Sequence, residues 1–193
     1  MANPRILVFA GSIRTGSFNA RLAAIAAKEI ALAGAEVTRI SLADYPMPIY
    51  DGDLEAASGP PENAIKLKRM MMAHPGVFIA SPEYNASVTP LLKNTLDWIS
   101  RVRDGKEVPL AAYKNRVFAL GGASNGQYGA MRSLLALRQV LEIGCGALAI
   151  PEQIAVARAA EAYDEMGLFK DEQNTQRLRN VVHRLIDMAR QFA

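Results

Sequence analysis

Short apolar runs alternate with amphipathic stretches along this chain. Arg5–Ala10 (RILVFA) is apolar after its first residue and has the length of a buried strand. Ser17–Ala33 carries Leu22, Ile25, Ala26, Ile30 and Ala33 at helical spacing, and Gly34 follows as a stop. Glu36–Leu42 (EVTRISL) alternates and is β-branched, which predicts a second strand. Tyr45–Pro61 is rich in Pro, Gly and Asp and predicts a loop, Asn63–Ala73 a helix, and Val77–Ser81 (VFIAS) a buried strand. Thr89 before Pro90 predicts a helix start, because proline suits the first helical position; that helix extends to about Val102. Arg116–Leu120 (RVFAL) predicts a further buried strand. Gln127–Ile143 predicts a helix with Met131, Leu134, Leu135 and Leu141 on one side, and Cys145–Ile150 the last strand. Ala157–Lys170 predicts an irregular surface segment. Leu178, Val181, Val182, Leu185 and Ala189 mark a final amphipathic helix.

Five strands alternating with five helices predict an α/β fold, a parallel sheet covered on both faces. Right-handed crossovers leave few topologies, and five strands suit the doubly wound order 2-1-3-4-5. A length of 193 residues fits a single domain, 1–193. Such sheets bind ligands beyond the carboxyl ends of their strands, at the switch point between strands 1 and 3. The segments after Ala10, Ser81 and Leu120 are therefore the places to look for chemistry.

Composition narrows the function classes. Hydrophobic residues make up 50% and aromatics 7%, so a sizeable and mostly aliphatic core is expected. No apolar run approaches the roughly 20 residues of a membrane span, so no membrane partner is expected. Met1–Arg5 leads directly into the apolar run without the pattern of a signal peptide, and Cys145 is the one cysteine, so a cytoplasmic location is expected. The net charge of +3 is dispersed rather than gathered in a stripe, which argues against nucleic acid. No cluster has metal-ligand spacing.

After strand 1 comes Gly11-Ser12-Ile13-Arg14-Thr15-Gly16-Ser17-Phe18-Asn19. A helix start offers unpaired N–H groups and the positive end of a dipole; hydroxyls and one arginine added to it make a phosphate site. Gly16 is followed by Ser17-Phe18, so this is not a Walker loop, and the glycine spacing is not GxGxxG. A single monoester phosphate, as on FMN, fits best. An ordinary cap at Ser17 would need only one hydroxyl. After strand 3, Pro82-Glu83-Tyr84-Asn85 offers a flat aromatic wall and directed polar groups, as a planar heterocycle requires; a plain turn with a surface tyrosine has the same composition. Glu83 has no second carboxylate or histidine nearby in sequence, so a loop-ordering or ring-contacting role is expected. After strand 4, Gly121-Gly122-Ala123-Ser124-Asn125-Gly126 lets a ligand approach the backbone closely. His74, His183, Cys145 and Met70-Met71-Met72 read as structural, and no residue is assigned as catalytic.

Gly11-Ser12-x-Arg14-x-x-Ser17-x-Asn19 resembles the first signature of the NADPH-dependent FMN reductase family. Pro82-Glu83-Tyr84-Asn85-x-Ser87 with Leu91-x-Lys93-Asn94-x-x-Asp97-Trp98 resembles its second. Gly122-Ala123-Ser124-x-Gly126 and Leu137-Arg138-Gln139-Val140-Leu141 resemble a third region. The resemblance implies a flavodoxin-like fold, FMN as cofactor and NADPH or NADH as electron donor. It implies that Ser12, Arg14, Thr15, Gly16, Ser17, Phe18 and Asn19 hold the FMN phosphate. Pro82, Glu83, Tyr84 and Asn85 would contact the isoalloxazine, and Gly122 and Ser124 would close its other edge. It further implies a homodimer or homotetramer, in which the Lys93–Trp98 helix is partly covered. Asn125 stands where many members carry proline, which implies a looser loop. The implied reaction is ping-pong: the nicotinamide reduces the flavin, then a small acceptor (quinone, azo compound, chromate, ferric chelate or flavin) takes its place. A flavodoxin-like electron carrier or an FMN-binding redox sensor is the alternative.

Overall fold

The computed structural model describes residues 3–193; Met1 and Ala2, the start of the segment expected to lack a signal-peptide pattern, lie outside the described residues. Strands β1 (Arg5–Ala10), β2 (Glu36–Arg39), β3 (Gly76–Ala80), β4 (Val117–Ala123) and β5 (Leu148–Val156) form one parallel sheet in the order β2-β1-β3-β4-β5. Strand side chains alternate between faces. Ile6, Val8, Val117 and Ala119 join the core on one side, under α1 (Phe18–Leu32) and α7 (Glu172–Ala189). Leu7, Phe9, Phe118 and Leu120 join the core on the other, under α3 (Glu62–Met72), α4 (Pro90–Arg101) and α5 (Met131–Arg138). Both cores are dominated by aliphatic side chains. No helix among the described residues is long and apolar enough to cross a membrane.

Several boundaries differ from those expected, each for a physical reason. Gly52–Ser58, inside the expected loop, forms helix α2. It buries no residue, so no apolar periodicity betrays it; Asp51 caps its start and Gly59, at φ 72°, ends it. Strand β2 stops at Arg39, and Leu42 opens a 3-10 turn capped by Ser41 instead. Strand β4 continues through Gly121 and Gly122 to Ala123. A side chain at Gly121 would stand 2.8 Å from the Phe78 ring, so glycine there serves close packing inside the strand. Helix α5 begins only at Met131, after Gly129 and Ala130 in left-handed conformations, and passes into a wide π turn over Gln139–Gly144.

Cys145 caps that turn rather than beginning a strand, and β5 runs on through Pro151 to Val156. Proline is tolerated there because β5 is an edge strand with a bulge. Phe118 pairs with Ala149 but Leu120 pairs with Gln153, so residues 150–152 loop out opposite Ala119 alone. The Arg138 guanidinium fills the bulge, donating to the carbonyls of Ile150 at 2.6 Å and Pro151 at 3.1 Å. The expected surface segment Ala157–Lys170 also has order: α6 (Ala159–Ala162) and an antiparallel bridge between Tyr163 and Phe169.

Candidate active site

Three loops converge beyond the carboxyl ends of β1, β3 and β4. Gly11 N–H donates to the carbonyl of Ala80 at 2.9 Å, which ties the first loop to β3. The Thr89 hydroxyl donates to the Gly11 carbonyl at 2.7 Å and accepts from Leu92 N–H at 3.2 Å. One threonine thus caps α4 and anchors the loop. Gly16 turns the chain at φ 69°, a conformation glycine adopts without a steric cost. Ser17 is the N-cap of α1, its Oγ accepting from Ala20 N–H at 3.3 Å.

The N–H groups of Thr15, Gly16, Phe18 and Asn19 meet no acceptor among the described residues. They lie at the positive end of a 15-residue helix, beside the exposed Arg14, whose guanidinium sits 5.6 Å from the centre of the Phe18 ring. A concave set of uncommitted donors with one permanent cation fits a phosphomonoester. The buried amide of Asn19 is turned to Ala123, donating to its carbonyl at 2.8 Å and accepting from its N–H at 2.9 Å.

The second loop is braced from beneath. The Ser133 hydroxyl donates to the Pro82 carbonyl at 2.7 Å and lies 2.8 Å from the Ser81 hydroxyl. Tyr84 and Ser87 exchange backbone hydrogen bonds of 3.0 Å around Asn85 (φ 50°) and Ala86 (φ 64°). Two successive left-handed residues make a tight hairpin turn that asparagine tolerates and alanine resists. It stands the Tyr84 ring, 50% exposed, on the rim.

Glu83 turns inward, its side chain 7% exposed. Its carboxylate accepts from the N–H groups of Arg132 at 3.1 Å and Ser133 at 3.3 Å, from Arg132 Nε at 2.7 Å, and from Arg132 Nη2. Ala130, the N-cap of α5, has no side-chain cap of its own. Glu83 supplies that cap from another loop, a loop-ordering role. Arg132, the missing partner, lies 49 residues downstream, and nothing local in the sequence announces it.

In the third loop Ser124 Oγ accepts from Gly126 N–H at 3.2 Å. Asn125 ties the loop down, because its Oδ1 accepts from Ala160 N–H at 2.8 Å, at the start of α6. The Ala159 N–H reaches the Ser124 carbonyl at 3.1 Å. The looseness implied by the missing proline is offset by these two bonds.

A cleft of about 240 Å³ lies between the loops. Of the expected residues it brings together Ser12, Arg14, Ser17, Phe18, Asn19, Pro82, Glu83, Tyr84 and Ser124, and adds Ala123 and Asn125. Thr15 and Gly16 lie at the exposed tip of the first loop, and Asn85 in the tight turn, outside the cleft lining. Gly122 is buried in β4, where a side chain would stand 2.8 Å from the Ala130 Cβ and 3.0 Å from the Ser81 carbonyl. A hollow of about 260 Å³ by Pro4, Pro75 and Asn115 lies at the opposite ends of the strands and gathers none of these loops.

The residues read as structural are occupied accordingly. His74 Nδ1 lies 2.6 Å from the Met70 carbonyl and Nε2 2.8 Å from the Thr38 hydroxyl. Its burial, and then the charges of Arg5 and Arg116, push its pKa down against the Met70 bond, which raises it. Met71 is in the core, and Cys145 is buried, which pushes its thiol pKa up. His183 lies on the exposed side of α7.

The sequence profile of the NADPH-dependent FMN reductase family matches residues 4–161. The chain belongs to this family. It is 38% identical to a quinone reductase of Escherichia coli over 138 residues, 71% of this chain and 69% of that protein. It is 32% identical over 170 residues to an NAD(P)H-dependent FMN reductase of Pseudomonas aeruginosa, 87% of this chain and 85% of that protein. The solved structure of FerB, an NAD(P)H:acceptor flavoenzyme from Paracoccus denitrificans, superimposes with a TM-score of 0.80 at 26% identity, covering 98% of each chain. This FMN reductase family member therefore has FMN as cofactor and NAD(P)H as electron donor. Its flavodoxin-like sheet order is the expected one; the loop portions of the three signature regions border the cleft, while Leu91–Trp98 and Leu137–Leu141 lie on α4 and on α5 with its π turn.

Proposed function

We propose that this chain is an NAD(P)H-dependent FMN oxidoreductase that passes electrons, in ping-pong order, to a small acceptor of the quinone class. Azo compounds, chromate, ferric chelates and free flavin suit the same site. The observation that carries the reading is the polarity of the cleft. One end gathers uncommitted N–H donors and Arg14; the other ends at a half-exposed tyrosine rim. The first end suits an anchored phosphate, and the second an open face that two reactants use in turn. The quinone class is favoured by the Escherichia coli relative, which is named a quinone reductase.

Bound FMN would supply the hydride chemistry. Arg14, the hydroxyls of Ser12, Thr15 and Ser17, and the backbone of Gly16, Phe18 and Asn19 would hold its phosphate. Pro82, Glu83 and Tyr84 would border the ring on one side and Ser124 on the other, with Asn85 shaping the turn beside Tyr84 and Gly122 leaving room for Ala130 behind the cleft. Glu83 would act by fixing this loop against α5. No side chain is assigned to proton transfer. The working unit would be a single-domain subunit in a cytoplasmic homodimer or homotetramer. Leu135, Ile143 and Leu148, exposed apolar side chains on consecutive elements around α5, support that assembly.

Steady-state rates with NADPH and a benzoquinone test the proposal. Parallel double-reciprocal lines are expected as the donor is varied at several quinone concentrations. Intersecting lines would exclude the ping-pong order. Reduction by NADPH without turnover on any small acceptor would mark an electron carrier or redox sensor instead.

A further inference from the structure

Arg14 is the end of a column. Its guanidinium lies 5.6 Å from the centre of the Phe18 ring. Phe18 stacks on Tyr163 with centroids 6.3 Å apart and planes within 7°, and Tyr163 stacks on Phe169 at 5.3 Å. The last two rings belong to the segment after β5, far from the phosphate loop in sequence. There a small hairpin is closed by Asp164, whose Oδ1 and N–H bond Leu168 N–H and carbonyl, each at 2.8 Å. The hairpin holds Tyr163 and Phe169 opposite one another as a cross-strand pair. Tyr163 is 4% exposed, and its hydroxyl donates to the Phe18 carbonyl at 3.2 Å. The same segment bonds the Ser124–Asn125 loop.

We infer that the Tyr163–Phe169 hairpin is a positioning element for the cofactor's phosphate. It fixes the Phe18 ring, and that ring presets the Arg14 guanidinium. This rests on the reading of Arg14 as a phosphate ligand. A free arginine side chain loses much rotamer entropy when it is fixed. A guanidinium already held over an aromatic face loses less on binding, which is preorganisation. Tyr163 and Phe169 line no part of the cleft; their rings reach the ligand through Phe18 and Arg14, while the bonds from this segment to the Ser124–Asn125 loop come from the N–H groups of Ala159 and Ala160 and involve neither ring.

The test is a double-mutant cycle on ligand affinity, read by quenching of flavin fluorescence on protein stripped of cofactor. FMN and riboflavin, which lacks the phosphate, are titrated in parallel. Arg14→Ala is expected to weaken FMN about ten- to hundredfold. Tyr163→Leu is expected to weaken FMN about five- to tenfold with riboflavin unchanged, and Tyr163→Phe to restore affinity. In the Arg14→Ala background Tyr163→Leu should cost less than about twofold, because the two act as one unit. Phe169→Leu, at a half-buried position, repeats the test should Tyr163→Leu fail to fold. Equal losses for FMN and riboflavin, or additive losses in the cycle, would overturn the positioning role and leave the phosphate reading standing. Unchanged FMN affinity in Arg14→Ala would overturn both.

Discussion

Asn19 grips Ala123 with both halves of its amide, at 2.8 Å and 2.9 Å, across a separation of 104 residues. The bond pair joins the first turn of α1 to the last residue of β4, and so fixes the phosphate loop against the glycine loop. Asn19→Leu keeps the branching of the side chain and removes both bonds, leaving a buried N–H and carbonyl unpaired. A loss of about 2–4 kcal/mol is expected in urea unfolding, with weaker FMN binding. A neutral result would mean the two loops hold their places independently.

Glu83 and Arg132 should not be equivalent. Arg132 is 55% exposed, and an exposed ion pair contributes at most about 1 kcal/mol. Glu83 also accepts two backbone N–H groups at the start of α5. Glu83→Ala is therefore expected to cost about 1–3 kcal/mol and Arg132→Ala under about 1 kcal/mol, both by denaturant unfolding. Equal losses would assign the whole effect to the ion pair.

The sheet order and the three loops were legible in the sequence because each is local. Arg5–Ala10 is apolar throughout its buried part, and the phosphate loop carries its glycines, hydroxyls and arginine within nine residues. What was hidden depends on distant partners or on surface alone. A loop-ordering role for Glu83 was one of the two expected, but its partners at the start of α5 lie 49 and 50 residues away. The passage of β5 through Pro151 needs an edge position and Arg138 to satisfy the bulge. Gly121 and Gly122 read as a loop because a pattern cannot tell a turning glycine from one squeezed between Phe78 and its neighbours. Helix α2 buries nothing, and Tyr163 becomes a core residue only when the chain folds back onto Phe18.

His74 carries a pH dependence. The Met70 carbonyl can only accept, so Nδ1 bears the proton and Nε2 accepts from Thr38. Burial favours this neutral ring and lowers its pKa in the folded state. The unfolded chain then binds the extra proton first, at about pH 6.5. Stability is full above that pH and falls as the pH drops below it. Thermal midpoints should decline between about pH 7 and 5, and His74→Gln should flatten that decline. An unaltered slope in His74→Gln would assign it to other groups.

The proposed chemistry requires that the cleft hold FMN and that a nicotinamide donor reduce it. An absorption spectrum of the purified protein, before and after anaerobic addition of NADPH, reads both events at once. The two visible flavin bands are expected, stoichiometric with the chain after FMN is supplied, with bleaching by NADPH within the mixing time of a manual assay. Flavin bands that persist in excess NADPH and NADH, or a protein that takes up no FMN, would rule out an NAD(P)H-dependent FMN enzyme.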